Sequence, residues 1–355
     1  MAHRGVMTLI AFGALGACAA APRADPAPPG ASVRLEWIGH ANLAFEDDRL
    51  GGLSGLTYGD GRWFAVTDHP REPRLVELAI ELNGATKGID ARVAAWEPVP
   101  AHADAEAVEW IEGRTFAVGF ELPGAVALFE TGGATLDEFT LPAHVLRGMR
   151  PNRRFEALAL RHHDGRHELW AGIETALEQD GPEAGPGAGA MCRVLALDVD
   201  RAAPTREFVY QTEPAPGFLP GTSFNSLVDF AALDDGRLLA LERSLDPLRG
   251  YAVAIRLITP GAGETDVAGL ETLRGAEFTA LRVETIARFG SLNSLGPGNV
   301  EGLAIGPVID DEAGGRLVIL VSDDNFGREG PRGALVIALR LLTSADAAPA
   351  PSAPR

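Results

Sequence analysis

One unit of sequence recurs five times along this chain, and a tandem repeat of that size restricts the fold more than any other feature. Each copy is a short apolar strand, a turn carrying glycine, and a second strand that ends in an acid. The first copy is Leu53–Tyr58, Gly59-Asp-Gly61 and Arg62–Asp68, and the second runs from Glu106 through Glu112-Gly113 to Phe116–Glu121. The third is Phe155–Leu160, His163-Asp-Gly-Arg166 and Leu169–Glu174. The fourth is Asn225–Phe230, Asp234-Asp-Gly-Arg237 and Leu238–Glu242; the fifth is Asn299–Ala304, Gly314-Gly315 and Leu317–Asp323. Asp-Gly or Gly-Gly between alternating apolar runs marks a tight β-hairpin. Two more strand-like runs follow each of the first four hairpins, for example Leu75–Leu82 with Arg92–Val99 and Ala252–Thr259 with Ala280–Phe289. Four strands per repeat is the blade of a β-propeller.

The terminal acids are evenly spaced over positions 68, 121 and 174, and the spacing widens where Asp180–Ala190 and Pro260–Gly275 add loop-like sequence. Only Ala334–Leu342 follows the fifth hairpin, so Val33–Ile38 is expected to supply the missing outer strand. Such closure removes the exposed sheet edges of an open array. The expected fold is all-β, a propeller of five four-stranded blades over residues 33–342, with a sixth left open by the long tail of the fourth repeat. A β-sandwich, the main rival, gives no reason for an acid at the same place in every unit. Leu146–Arg154 and Thr265–Leu273 allow at most single short helices.

Composition agrees: 42 glycines and 25 prolines suit short strands joined by tight turns, and 46% hydrophobic residues mark a globular chain. The net charge of −18, with Lys87 the single lysine, repels nucleic acid and anionic headgroups, so neither is an expected partner. At the N-terminus, His3 and Arg4 precede an apolar run, Val6–Ala17, and then Leu15-Gly-Ala-Cys18. This reads as a signal peptide with a lipobox over residues 1–18. Cys18 is then the lipidated residue, and 19–32 an Ala/Pro-rich tether. The chain is expected to be exported to the periplasm or outer membrane, touching the membrane only through that anchor. Ordinary cleavage near Ala19–Ala21 is the alternative. With Cys18 lipidated, Cys192 has no intramolecular disulfide partner. Residues 343–355 form a tail, and a monomer is expected.

In an antiparallel hairpin the first residue of one strand lies beside the last of the next. Glu106 is therefore expected opposite Glu121, Glu156 opposite Glu174, and Glu301 opposite Asp323. Asp68 is expected opposite Ser54 or Gly55, and Glu242 opposite Ser226. With the first strand of each hairpin innermost, all of these gather at one mouth of the central channel. Acids are 49 of 355 residues, too few to place one in every unit by chance. A strand-end acid also simply solubilises a loop, which is sufficient for any single one. The set repels itself unless something positive binds. Calcium suits it, taking several oxygen ligands in loose geometry.

Asp68, Glu106, Glu121, Glu301 and Asp323 are the candidate calcium ligands, and Asn225, Asn299 and Asn325 offer neutral oxygens. Glu156, Glu174 and Glu242 are candidate bases, their pKa raised by like-charged neighbours. Arg153-Arg154, Arg243 and His69 bring positive charge to the same end. Arg154 and Arg243 are the candidates for orienting an anion by bidentate contact. Zinc has little support, because His162, His163 and His167 sit on a hairpin turn without a second cluster. No nucleophile elbow, Ser-His-Asp order or Walker loop is present.

Gly51-Gly-Leu-Ser-Gly-Leu56 with Val66-Thr-Asp68, Asn152-Arg-Arg-Phe-Glu-Ala-Leu-Ala159, Leu239-Ala-Leu-Glu-Arg243, Asn299-Val-Glu-Gly-Leu-Ala304 and Val321-Ser-Asp-Asp-Asn-Phe326 together resemble the bacterial phytase-like, or "esterase-like activity of phytase", family. The chain departs from that pattern at Ala107 and Ala157, where glycine often follows the acid, and at Ser226, which replaces an acid. The resemblance implies phosphodiesterase or phosphatase-like chemistry carried by repeated Glu and Asp residues; joined to the calcium reading of the acid ring and to the export signal, it gives the expectation of a calcium-dependent hydrolase of small anionic phosphate esters at the cell envelope. Two alternatives stand beside it. One is a calcium lactonase or carboxylic-esterase propeller, which calls for mixed Glu/Asn ligands and little arginine. The other is a non-catalytic, metal-stabilised propeller that binds an envelope partner.

Overall fold

The computed structural model describes residues 33–83, 88–100, 102–163, 165–217, 223–290, 298–327 and 332–343. The expected signal peptide, with Cys18, the expected tether, Lys87 and all but the first residue of the expected tail lie outside the described residues. Among the described residues twenty strands form five antiparallel four-stranded sheets. After β1 (Val33–Leu43) the first blade is β2 (Leu53–Gly59), β3 (Arg62–Thr67), β4 (Arg74–Asn83) and β5 (Gly88–Pro98). The second is β6 (Ala103–Glu112), β7 (Thr115–Leu122), β8 (Ala125–Glu130) and β9 (Ala134–Glu138). A short helix, α1 (Ala143–Gly148), leads to the third blade: β10 (Phe155–His163), β11 (Arg166–Ala176), β12 (Met191–Asp198) and β13 (Ala203–Gln211). The fourth holds β14 (Phe224–Ala232), β15 (Leu238–Asp246), β16 (Gly250–Thr259) and β17 (Arg282–Gly290). The fifth holds β18 (Asn299–Val308), β19 (Arg316–Asp323) and β20 (Ala334–Thr343), with β1 paired outside β20. The ring is thus a five-bladed propeller closed by the N-terminal strand.

The first strand of each blade touches the first strands of its neighbours, which puts β2, β6, β10, β14 and β18 around the axis. Between them and the rim, each blade is sandwiched by two others, so its middle strands need apolar side chains on both faces. β7 meets this with six consecutive buried residues, Phe116–Glu121. The cores lie between blades: Phe64 meets Phe116 edge-on between the first and second, and Tyr210 meets Phe230 between the third and fourth. Each buried side chain of this size is worth about 1.5–3 kcal/mol. Among the described residues no backbone ladder joins neighbouring blades, so these apolar layers hold them side by side. The segment 265–273 is not helical; it lays Val267 and Leu273 onto Val209 of β13.

Every inner hairpin carries a β-bulge at its channel-mouth end, breaking the pairing expected from simple strand alternation. In the fifth blade Val300 pairs with Ser322 and Gly302 with Val321, leaving Glu301 as the extra residue. Glu106 and Glu156 take the same place between Ala105/Ala107 and Phe155/Ala157. Glu301 therefore does not pair with Asp323, whose partner is Asn299. A bulge re-aims the side chain it releases, and here it turns the three inner glutamates away from the ladder.

The fourth blade is offset by one residue. Ser226 pairs with Arg243 and Leu227 with Glu242, and the bulge falls on Val228. Arg243, not Glu242, thus occupies the position that Asp323 holds opposite Asn299. A one-residue step reverses the face to which a side chain points, and Glu242 turns away from the mouth.

Candidate functional site at the channel mouth

The residue after each bulge sits where the inner strands approach most closely. A Cβ on Gly302 would lie 2.9 Å from Leu56 Cβ and from the Ser54 carbonyl, and one on Gly55 2.7 Å from Ala107 Cα. Small residues are needed there, which is why Ala107 and Ala157 are tolerated. The fourth blade places Asp229 at this level. Its carboxylate accepts the backbone N–H of Leu303 at 2.7 Å, of Leu56 at 3.3 Å and of Phe230 at 2.8 Å. Leu56 belongs to a blade that is not its neighbour, so Asp229 crosses the axis and closes the channel below the mouth. Burial pushes its pKa well up, partly offset by the three N–H donors.

Above this floor the mouth has two halves. On one, arginines meet the acids. Arg243 Nη1 donates to Asn299 Oδ1 at 2.9 Å and to Glu301, and its Nη2 reaches Glu174 at 3.4 Å. Arg153 Nη1 reaches both oxygens of Glu174 at 3.3 Å, and both guanidiniums pack over the Phe224 ring. Arg154 is fixed to Glu121: its backbone N–H donates to Oε2 at 2.9 Å and its Nη1 to the Glu121 carbonyl at 2.7 Å. Arg153 is the most open of the three, with 31% of its side chain exposed.

On the other half the acids lack cations. Asp68 is crowded by Asp323 and Asp104, and burial with these neighbours raises its pKa to about 8. Its Oδ1 is buried without a hydrogen-bond partner among the described residues. Glu106 accepts the Ser54 hydroxyl at 2.9 Å, and burial beside Asp68 and Asp104 pushes its pKa well up. Asp323 accepts from Asn299 and from the Asn325 N–H, yet burial still lifts it to about 6. Glu156 lies between the halves, its pKa raised well above the usual range by burial and then by Glu174 and Glu106. Burial lifts Glu121 to about 7 and also raises Glu174, which Arg153 and Arg243 partly restrain.

The candidate residues therefore separate. Asp68, Glu106 and Asp323 come together, whereas Glu121 and Glu301 are engaged by arginines. Asn299 bridges Arg243, Glu301 and Asp323. His69 is not the positive group expected: its Nδ1 accepts the N–H of Arg71 and Glu72, and burial and Arg74 lower its pKa. Glu242 is a fully buried strut between the third and fourth blades. It is saturated by the Tyr210 hydroxyl at 2.5 Å, Arg256 at 2.6 Å, Asn225 at 2.6 Å and the Glu213 N–H at 3.0 Å. Cys192 is buried, its thiol against the Glu174 carbonyl.

Asp104 and Asp229 were not among the sequence candidates. Asp104 has a left-handed backbone, φ 62°, beside Asp68, and sequence carries no cue for it. Asp229 breaks the apolar run Leu227–Phe230, a signal that was there to read.

Among the described residues no three His, Cys, Asp or Glu side chains stand at metal-ligand spacing. Asp68, Glu106 and Asp323 nonetheless suit a hard divalent cation by donor type, mutual repulsion and the unpartnered Asp68 oxygen. They are a donor set, not a finished cage.

Fold and mouth together define a five-bladed propeller whose channel is closed at mid-depth and presents carboxylates and arginines at one end. The family model described as "Phytase-like: Esterase-like activity of phytase" matches residues 48–326, and the chain belongs to that family. No curated protein matches it. Among solved structures it is similar to Myxococcus xanthus glutaminyl cyclase, at 11% identity over 90% of this chain and 99% of that one, TM-score 0.44. It is also similar to virginiamycin B lyase from Staphylococcus aureus, at 12% over 87% and 99%, TM-score 0.36. Kuenenia stuttgartiensis hydrazine synthase matches at 12% over 77% of this chain, TM-score 0.40, and the chain spans 65% of that protein's length. The chemistry rests on the residues, not on these likenesses.

Proposed function

We propose that this chain hydrolyses small anionic phosphate esters with a divalent cation, calcium by preference, at the acid-lined mouth. The observation that carries the reading is the division of that mouth into an unpaired carboxylate half and an arginine half. Asp68, Glu106 and Asp323 would hold the cation. When bound, it supplies charge neutralisation at phosphoryl oxygens and a more acidic water.

The remaining steps belong to the chain. Arg153, the open guanidinium, offers N–H donors to a phosphate oxygen, while Glu174 and the Phe224 ring fix its plane. Arg243 and Arg154 hold Glu301, Glu174 and Glu121 in place and keep the potential of that half from excluding an anion. Glu156, whose surroundings favour its protonated form, is positioned as a general acid for the departing alkoxide. Asp229 seals the floor, so substrate enters and leaves by one mouth. Lipidation at Cys18 would station the activity at the cell envelope.

The arginines weigh against the lactonase reading, which calls for a mouth poor in guanidinium. The test is turnover by the soluble domain of a phosphomonoester, a phosphodiester, a carboxylic ester and a lactone, each with calcium or with chelator. Calcium-dependent release from a phosphate ester is expected. Turnover of the lactone or carboxylic ester alone would replace this reading with the esterase one. No turnover at all, with a large calcium-dependent rise in Tm, would make the propeller a metal-stabilised binding module.

A further inference from the structure

Below Asp229 the channel opens again. The inner strands run from the acid mouth to their hairpin turns, and at the turn end they enclose a cavity of about 290 Å³. A wider groove of about 860 Å³ between the second and third blades shares Leu160 and His162 with it and leads outward. Two residues beyond the constricted level, the register aligns Thr57, Glu109, Ala159, Ala231 and Ala304. Four of these side chains are small. The fifth is a carboxylate.

Glu109 Oε1 accepts the Leu160 N–H at 3.1 Å and Oε2 the Thr57 hydroxyl at 3.0 Å. Among the described residues no basic group pairs with it. Arg316, on the cavity wall, is taken by Asp234 at 2.7 Å and the Gly306 carbonyl at 2.8 Å. The walls around Glu109 are Tyr58, Trp110, Phe230, Leu303 and Ile305. A half-buried carboxylate among such walls lacks the counter-charge that enclosed ions normally have, and its desolvation raises its pKa to about 7. Another alanine would have continued the pattern at no electrostatic cost.

We propose that this second mouth binds a small organic cation, a primary amine or amidine on an aromatic or aliphatic body, with its charge on Glu109 and its body against Trp110 and Phe230. Aromatic faces add to carboxylate attraction for such a ligand. The site is separate from the acid mouth, because Asp229 lies between them, and its occupancy does not depend on hydrolysis at the other end.

The test is calorimetric titration with phenethylamine, benzamidine and hexylamine, and with 2-phenylethanol as the uncharged control, in saturating calcium. At least one cation should bind with Kd below about 1 mM and at least about tenfold more tightly than the alcohol. Glu109→Gln, which keeps an acceptor for the Leu160 N–H and meets the Thr57 hydroxyl with an amide N–H instead, and Ala231→Leu, which fills part of the cavity while leaving the Glu109 charge in place, should each weaken binding about tenfold or more. Asp68→Asn should leave it unchanged. Circular dichroism melting of both cavity variants establishes that they fold. If all three cations bind no better than the alcohol, or if Asp68→Asn abolishes binding while Glu109→Gln does not, the proposal fails. Phosphate-ester turnover is read separately, so its absence would leave the amine result intact.

Discussion

Arg243 and Glu301, from adjacent blades, form a buried ion pair at the channel mouth, with Arg243 at the one terminal position where every other blade carries an acid. The fourth blade has in effect supplied an internal counter-ion to the ring. Arg243→Met should strand Glu301 and weaken the hold on Glu174. Breaking a buried pair from one side typically costs about 3–5 kcal/mol. Urea unfolding at pH 7 should show a loss of that order, and added calcium should recover part of it.

Without metal, stability should fall as pH rises. The folded-state pKa of Asp68 is about 8 and that of Asp323 about 6, against about 3.9 for an unfolded aspartate. Below pH 4 both states are protonated and no penalty exists. Between pH 4 and 8 the unfolded chain releases protons that the folded chain retains, and stability declines until both groups are ionised. Unfolding in chelator at pH 5 and pH 8 should show the higher stability at pH 5, and Asp68→Asn should flatten the slope.

Calcium should act in the opposite sense to that slope. Only ionised carboxylates bind it, so its effect on Tm should be small at pH 5 and grow toward pH 8. A ligand at one hundred times its Kd adds about 2.7 kcal/mol. Differential scanning fluorimetry across pH, with Asp68→Asn as the insensitive control, measures this directly.

The two glutamates Glu156 and Glu242 should separate cleanly. Glu156→Gln removes a proton donor, and general acid catalysis is worth about 100-fold to 10,000-fold. Calcium-dependent turnover should drop by at least the lower figure, with Tm held, because a neutral amide takes the place of a carboxyl whose surroundings already favour its neutral form. Glu242→Gln should instead lower Tm, since Arg256 loses the nearer of its two charged partners and keeps only Glu213 at 3.9 Å, and should change turnover little in the molecules that remain folded.

Asp229→Ala should leave three backbone N–H groups at the axis without an acceptor. Each unsatisfied buried donor costs about 1–3 kcal/mol. A loss of about 3 kcal/mol or more is expected by urea unfolding, and Asp229→Asn should be milder because its amide oxygen still accepts.

The ring was legible because each repeat carries its own turn chemistry. Asp60-Gly61 adopts the positive φ values of a type I′ hairpin, 50° and 77°, and Asp-Gly in the sequence announces it. The bulges were not legible, because the extra residue has no identity of its own and its signature is only the small residue after it. Reading Glu242 as the end of its strand missed the fourth-blade offset by one position, and in a strand one position decides between channel and core. Asp229 and Glu109 lie inside their strands, where the repeat of strand-end acids gives no cue to them. A lone acid inside a continuous apolar run was the cue.

The pairing of β1 with β20 means that the fifth blade is built from both extremes of the domain. Long-range closure of this kind slows folding relative to local contacts, and the last interface cannot form until the final strand is available. Nascent chain emerging with β1 in hand would carry an unpartnered strand for the whole of its synthesis. The ring is thus committed late and all at once, and any truncation before Ala334 leaves a molecule with two raw edges instead of a slightly smaller propeller.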